Sequence, residues 1–176
     1  HRLDRNTGGT MVDAKTSKGA SRLSKLLREK DFKKGYFAIV DGIVNKDGRL
    51  TNKLEKELKT NKVYESEKGK LSILEYRVVD CIDNMSLLFV IPITGRTHQI
   101  RAQMAFFGHP LIGDVKYGYK KNMGDFLALW SSCIKIRHVT LEKKLLLQSI
   151  PESSNVWGMF KEKTYIDALN EIGDVL

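Results

Sequence analysis

The order of apolar and polar positions along the chain predicts a mixture of helices and strands. Ala20, Leu23, Leu26 and Leu27 recur at helical spacing behind Ser17, a residue type that caps helices, while Lys18, Arg22, Lys25 and Arg28 take the other face. Residues 9–14, just before this helix, read as a short strand. Residues 36–40, Tyr-Phe-Ala-Ile-Val between Gly35 and Gly42, predict a buried strand. Asp47-Gly48 predicts a tight hairpin, and the Lys- and Glu-rich stretch 53–70, with few apolar anchors, predicts an exposed, mobile excursion. Residues 71–81 and 86–93 predict two antiparallel strands joined across Ile82-Asp83-Asn84-Met85. The second delivers the chain to Gly95, where Thr97 is placed to cap a helix through Phe107 with Gly108 as its stop. Beyond a turn-rich connector at 109–114, short strands are predicted at 127–129 and 133–136. A hairpin through 142–144 then leads to Leu145-Leu146-Leu147, and a helical stretch runs from Pro151 to Phe160 or later.

Composition narrows the class. The 176 residues, 41% of them hydrophobic, suffice for one domain with a real core, and no repeat or linker divides them. Thirty Lys and Arg against 21 Asp and Glu give a net charge of +9, which favours a polyanionic partner, nucleic acid first. The longest apolar run, residues 87–93, is too short to cross a bilayer, and no leader precedes His1, so no membrane role is expected. Cys81 and Cys133 lack Cys-x-x-Cys partners, which argues against a disulfide framework or a zinc knuckle and for reduced core residues in a cytoplasmic protein. His98 and His109 lack the spacing and company of a metal site. Because the chain opens on His1 and not on Met, the expectation is a fragment of a longer protein.

The candidate chemistry lies in two blocks. In the first, His1-Arg2-Leu3-Asp4-Arg5-Asn6-Thr7-Gly8-Gly9, Asp4 sits between arginines that favour its ionised form, so it suits a nucleophile or base better than a proton donor. In the second, Gly95-Arg96-Thr97-His98-Gln99-Ile100-Arg101, a basic turn runs into a helix that sets Arg101 one turn from Thr97. A surface salt bridge accounts for the first block taken alone, and an ordinary glycine turn followed by a capped helix accounts for the second.

Taken in order, five blocks resemble the RluA-type RNA pseudouridine synthases. They are the first block, Ala14-Lys15-Thr16, Tyr36-x-Ala38-x-Val40-x-Gly42, the second block, and Gly108-His109-Pro110-Leu111-Ile112-Gly113-Asp114-x-x-Tyr117-Gly118. The resemblance implies an α+β fold, the pseudouridine-synthase fold, with a curved, mostly antiparallel mixed sheet and flanking helices. Residues 1–176 would form one catalytic domain lacking upstream strands and any N-terminal RNA-binding module. It implies an isomerase that converts specific uridines in RNA to pseudouridine, with large-subunit ribosomal RNA as the expected substrate and transfer RNA as the alternative. No cofactor or metal is implied, and a monomer is expected. Carried onto this sequence, the resemblance makes Asp4 the catalytic aspartate, Tyr36 the active-site tyrosine and Arg101 the partner of Asp4. Arg2, Arg5, Arg96, His98 and Gln99 are the candidate RNA contacts.

The sequence departs from the family pattern in places. Gly8 stands where Ser is usual, Leu129-Trp130-Ser131 where Leu-His-Ala is usual, and Val139 follows His138 where Pro is usual. The rival reading is a catalytically incomplete RNA-binding or ribosome-assembly module of the same fold. On the first reading, Arg101→Met is expected to lose activity with the fold retained.

Overall fold

In a computed structural model, which describes residues 2–29, 31–138, 140–141 and 143–173, the apolar run at residues 36–40 is the middle of strand β2, Phe32–Asp41. It is apolar on both faces because both faces are covered. Phe37 and Ile39 pack with Leu87 and Phe89 of β6 (Met85–Pro92) beneath the C-terminal helix α3 (Glu162–Gly173), which contributes Tyr165, Leu169 and Ile172. Tyr36, Ala38 and Val40 face the other way, toward Leu88, Val90 and the helix α2 (Gln99–Phe106), which contributes Ile100 and Met104. Alternation along a strand sends successive side chains to opposite faces, and burying each large apolar one contributes about 1.5–3 kcal/mol. Tyr36 therefore belongs to the α2 face.

The remaining strands are β1 (Gly8–Gly9), β3 (Gly48–Lys56), β4 (Val63–Glu65), β5 (Lys70–Ile82), β7 (Leu129–Arg137) and β8 (Lys144–Gln148). Among the described residues the sheet order is β1-β7-β2-β6-β5-β3-β4, with β8 also on β7. Every pairing is antiparallel except that of β1 with β7, so the sheet is the mixed, mostly antiparallel one expected. The β5–β6 hairpin forms as predicted, with Asp83 and Asn84 at φ 46° and 60°, the left-handed pair that a tight hairpin requires. The helix α1 (Ser17–Arg28) is capped one residue earlier than expected, by Thr16, whose hydroxyl accepts from Gly19 N.

Other expectations are corrected. Residues 9–14 do not form a strand: only Gly8 and Gly9 pair. Asp47-Gly48 does not turn a hairpin, because β3 pairs with β5 while β2 lies between β6 and β7; the Asp47 carboxylate instead accepts from Val78 N. The 53–70 stretch is an edge hairpin, not an excursion, held by Leu54 and Val63 against Ala102 and Tyr117. Its turn is tied down by Lys116, whose ammonium donates to the carbonyls of Thr60 and Asn61. The two short strands at 127–129 and 133–136 are one strand, β7, whose middle residues Trp130-Ser131-Ser132 hide it by breaking the apolar run. After Pro151 the helical stretch is a short 3-10 turn at Asn155–Met159 followed by α3. Cys133 is buried as expected, but Cys81 is exposed. Glu142 of the expected last turn, and Val139, lie outside the described residues. No helix among the described residues is long and apolar enough to cross a membrane.

Two departures from the family pattern prove to be one. Gly8 and Trp130 are register partners, and a Cβ at Gly8 would lie 2.5 Å from Trp130 Cζ3. The indole is anchored by its Nε1, which donates to Ser149 Oγ at 3.0 Å, so it cannot swing aside freely. Gly8→Ser is expected to destabilise the protein by about 1–3 kcal/mol, as overpacking does, and Trp130→His in the same chain should restore most of that loss. Denaturant midpoints of the single and double variants measure both effects.

Candidate active site

The first block is clasped to the sheet by β1. Gly9 has φ +104°, and a Cβ there would collide with the Ser131 carbonyl, so the chain comes this close to β7 only as glycine. Thr10 N donates to Ser131 O at 2.7 Å and Ser131 Oγ donates to Thr10 O at 2.8 Å. This clasp sets Asp4 beside Tyr36, the β2 residue that pairs with Ser131 of β7. The register of β2 against β7 shifts between Gly35 and Tyr36, and the skipped Ser132 donates to Gly35 O. A bulge of this kind re-aims the neighbouring side chain.

Arg101, in the first turn of α2, faces two carboxylates. Its Nε and Nη2 bind Asp114 at 2.6 and 2.8 Å, whereas Nη1 lies 3.6 Å from Asp4 Oδ2. The Asp114 side chain is 1% exposed and that of Asp4 26%. The guanidinium is thus gripped bidentately from below and presents its remaining nitrogen to Asp4. Burial alone would lower the pKa of Arg101, but the hydrogen bonds and charge of Asp114, with Asp4 behind, raise it above its ordinary value. The expected Asp4–Arg101 pair is present; the tighter partner, Asp114, was not picked out from the sequence. Its signal was a carboxylate directly after Gly113 in the last family block.

Around this pair, Tyr117 lays its ring 5.1 Å from the guanidinium carbon of Arg101. The Tyr117 hydroxyl accepts from Val63 N and meets His98 Nδ1, both at 2.9 Å. His98 sits in the left-handed region at φ 49°, a backbone state that non-glycine residues reach only when their surroundings impose it. Burial holds its imidazole below the ordinary pKa; Asp4 opposes this, while Arg101 and Lys116 add to it. It is neutral at pH 7.

The turn into α2 differs from the expected one. Thr97 does not cap the helix; His98 occupies that position without a side-chain cap bond. Gln99 organises the turn instead. Its Oε1 accepts from Thr94 Oγ1 and Arg96 N, and its Nε2 donates to Ile73 O and Gln103 Oε1. With these four bonds inside the protein and 4% exposure, Gln99 is a strut of the turn, and it also lines the cleft in front of Asp4.

The cleft in front of Asp4 has a volume of about 550 Å³ and is lined by Arg2, Thr7, Lys34, Tyr36, Arg96 and His98 among others. Arg2 and Arg96 are exposed at its rim; Arg5 is exposed but not part of the lining. The Thr7 hydroxyl is buried with no hydrogen-bond partner among the described residues. Tyr36 is 8% exposed, and burial, aided by the charge of Asp4, pushes its phenol up to about 12, with the Ser131 hydroxyl acting in the opposite sense. Because the folded state holds this proton more tightly than the unfolded chain does, the stability it contributes is complete below pH 10 and is lost as pH rises toward 12. Burial raises the Tyr165 phenol as well, so late ionisation is not unique to Tyr36. The difference between spectrophotometric phenol titrations of wild type and Tyr36→Phe should be one tyrosine that ionises at about 12. Tyr36→Phe should also remove its share of the alkaline loss of stability.

This constellation is one acid, a doubly held arginine and a buried phenol at a basic cleft, on a mixed sheet with helices on both faces. Comparison with known proteins gives it a class. The sequence profile of the family described as RNA pseudouridylate synthase matches residues 1–106. The chain belongs to the RNA pseudouridylate synthase family, of the RluA type. Among its relatives, ribosomal large subunit pseudouridine synthase C of Buchnera aphidicola is 38% identical over 125 residues, 69% of this chain and 40% of the relative. Synthase D of Vibrio cholerae is 39% identical over 119 residues, 67% of this chain and 37% of the relative. Synthase C of Vibrio parahaemolyticus is 32% identical over 161 residues, 87% and 51% respectively. The matched chain thus spans between 37% and 51% of these relatives. The solved structure of human RNA pseudouridylate synthase domain containing 1 has the same fold, with a TM-score of 0.79 at 19% identity over 97% of this chain and 78% of that one.

Proposed function

We propose that this protein isomerises uridine to pseudouridine within RNA, and that its substrate is the class stated in the names of its relatives, large-subunit ribosomal RNA. The observation that carries the reading is the position of Asp4. It is a partly exposed carboxylate at the mouth of a basic cleft, aimed by an arginine that a second, buried carboxylate already holds. A nucleophile needs this combination of restraint and accessibility.

The target nucleotide leaves its stack and enters the cleft, where the face of Tyr36 supports the base and Arg2, Arg5 and Arg96 meet phosphates. Asp4 attacks the ribose C1′ or the uracil ring, the N1–C1′ bond breaks, and the base turns to offer C5. A C5–C1′ bond forms, the bond that Asp4 had made to C1′ or to the ring breaks and returns the carboxylate, C5 loses its proton, and N1 gains one. The atoms balance without any added group, since the reaction is an isomerisation. A phenol pushed up to about 12 keeps its own proton at neutral pH, so Tyr36 acts as support and donor, and the freed Asp4 carboxylate is the nearer acceptor for the C5 proton. Neutral His98 and the unpartnered Thr7 hydroxyl supply hydrogen bonds to the flipped nucleotide.

Release of tritium from ribosomal RNA labelled at uridine C5 tests the reading. Turnover is the expected result. RNA binding without release would instead favour a non-catalytic RNA-binding or assembly module.

A further inference from the structure

The ladder between β2 and β6 runs from Asp41–Met85 to Tyr36–Val90 and stops there. Beyond that point β2 continues back to Phe32 alongside β7 only, and β6 continues to Pro92 alongside β5 only. The sheet therefore forks beside Tyr36. The Asp4 cleft and a larger cavity, about 740 Å³, adjoin at the fork. Five residues line both: Leu27, Lys34, Pro92, Thr94 and Gly95. Lys34 is the one charged side chain among them.

Lys34 is two residues from Tyr36 on the same strand and so shares its face. It is half-buried, its ammonium sits 5.8 Å from the centroid of the Phe32 ring, and burial lowers its pKa. No carboxylate of the described residues forms an ion pair with it. A cation withdrawn from water without a counter-charge is costly unless a ligand brings one. The larger cavity has an apolar floor of Phe32, Ile91, Pro92 and Ile93 with Lys33, Arg49 and Arg77 around it. Of its two acids, Glu75 is paired to Arg49 at 3.3 Å and the Asp47 carboxylate is bonded to Val78 N. Flat apolar floor, unpaired ammonium and excess positive charge together match a nucleotide.

We infer that the larger cavity is a second subsite, which holds the nucleotide next to the target uridine, and that the phosphate linking the two sits on Lys34. The inference rests on the RNA reading above. A strand that places one base in each cavity carries its one intervening charge through the fork, where Lys34 is. The neighbour is then unstacked as well as the target, so this chain reads two adjacent nucleotides and not one.

The test is a double-substitution cycle in binding. The probe is a short single-stranded oligoribonucleotide with one uridine in a cytidine background, unmodified or with an uncharged methylphosphonate in place of one phosphate flanking the uridine. Lys34→Met should weaken the unmodified probe about fivefold at 0.1 M salt and flatten its log-log salt dependence by about 0.7, the value of one contact to a single strand. Against the methylphosphonate on the correct side it should change nothing, and Lys34→Arg should keep most of the affinity, which guards against a folding defect. Equal losses with both probes on either side, or no loss with any, overturn the inference; the latter is also the result if a peptide segment fills the fork. If the wild-type protein binds neither probe and releases no tritium, the RNA reading itself has failed, a result distinct from normal binding without coupling to Lys34.

Discussion

Asp4→Ala is expected to lower isomerisation on the order of 10⁴-fold or more while leaving the fold intact, the scale on which removal of one member of a catalytic unit acts. Among the described residues, Asp4 is the one acid that lines the cleft, and it is partly exposed with a fixed cation beside it. Its loss should not unfold the protein, because its contact to Arg101 is the looser of the two that Arg101 makes and its surroundings are open to water. Single-turnover tritium release with circular dichroism on the same sample separates rate from fold. Turnover within tenfold of wild type would remove Asp4 from the mechanism.

Arg101→Met is expected to abolish activity too, but not with the fold untouched, as the sequence alone suggested. Asp114 is almost fully buried and has both carboxylate oxygens on this guanidinium. Without it a charge remains in the interior, and breaking such a pair from one side costs about 3–5 kcal/mol. Arg101→Met combined with Asp114→Asn should regain much of that stability and none of the activity. Denaturant unfolding of the two single variants and the double one gives the coupling directly. Equal stability of Arg101→Met and wild type would mean that Asp114 is protonated or solvated.

The parts of the fold written in local patterns were legible: the doubly buried run in β2, the β5–β6 hairpin with its Asp83-Asn84 turn, and the amphipathic α1. The edge hairpin β3–β4 was not. Its inward anchors are few, Leu54 and Val63 foremost, and what they pack against, Ala102 and Tyr117, comes from far along the chain. In the site, the pairing of Asp4 with Arg101 followed from motif order. The grip of Asp114 did not, because a carboxylate in a turn-rich connector gives no local sign that it will be buried. The burial of Gln99 was hidden for a related reason: glutamine at a helix start is ordinarily exposed, and only the tertiary neighbours Ile73 and Gln103 make it a strut.

The clasp of the first block onto β7 also bears on how the site comes into being. Ser131 and Thr10, which bond there, are 121 residues apart in the chain. Hairpins such as β5–β6 close short loops and form early, whereas a contact this distant carries the full entropy of loop closure and forms once the strands between are in place. The clasp that sets Asp4 beside Arg101 is therefore expected to close late in folding. A partly folded chain then holds most of the sheet while Asp4 still rides on a free segment, not yet set against Arg101.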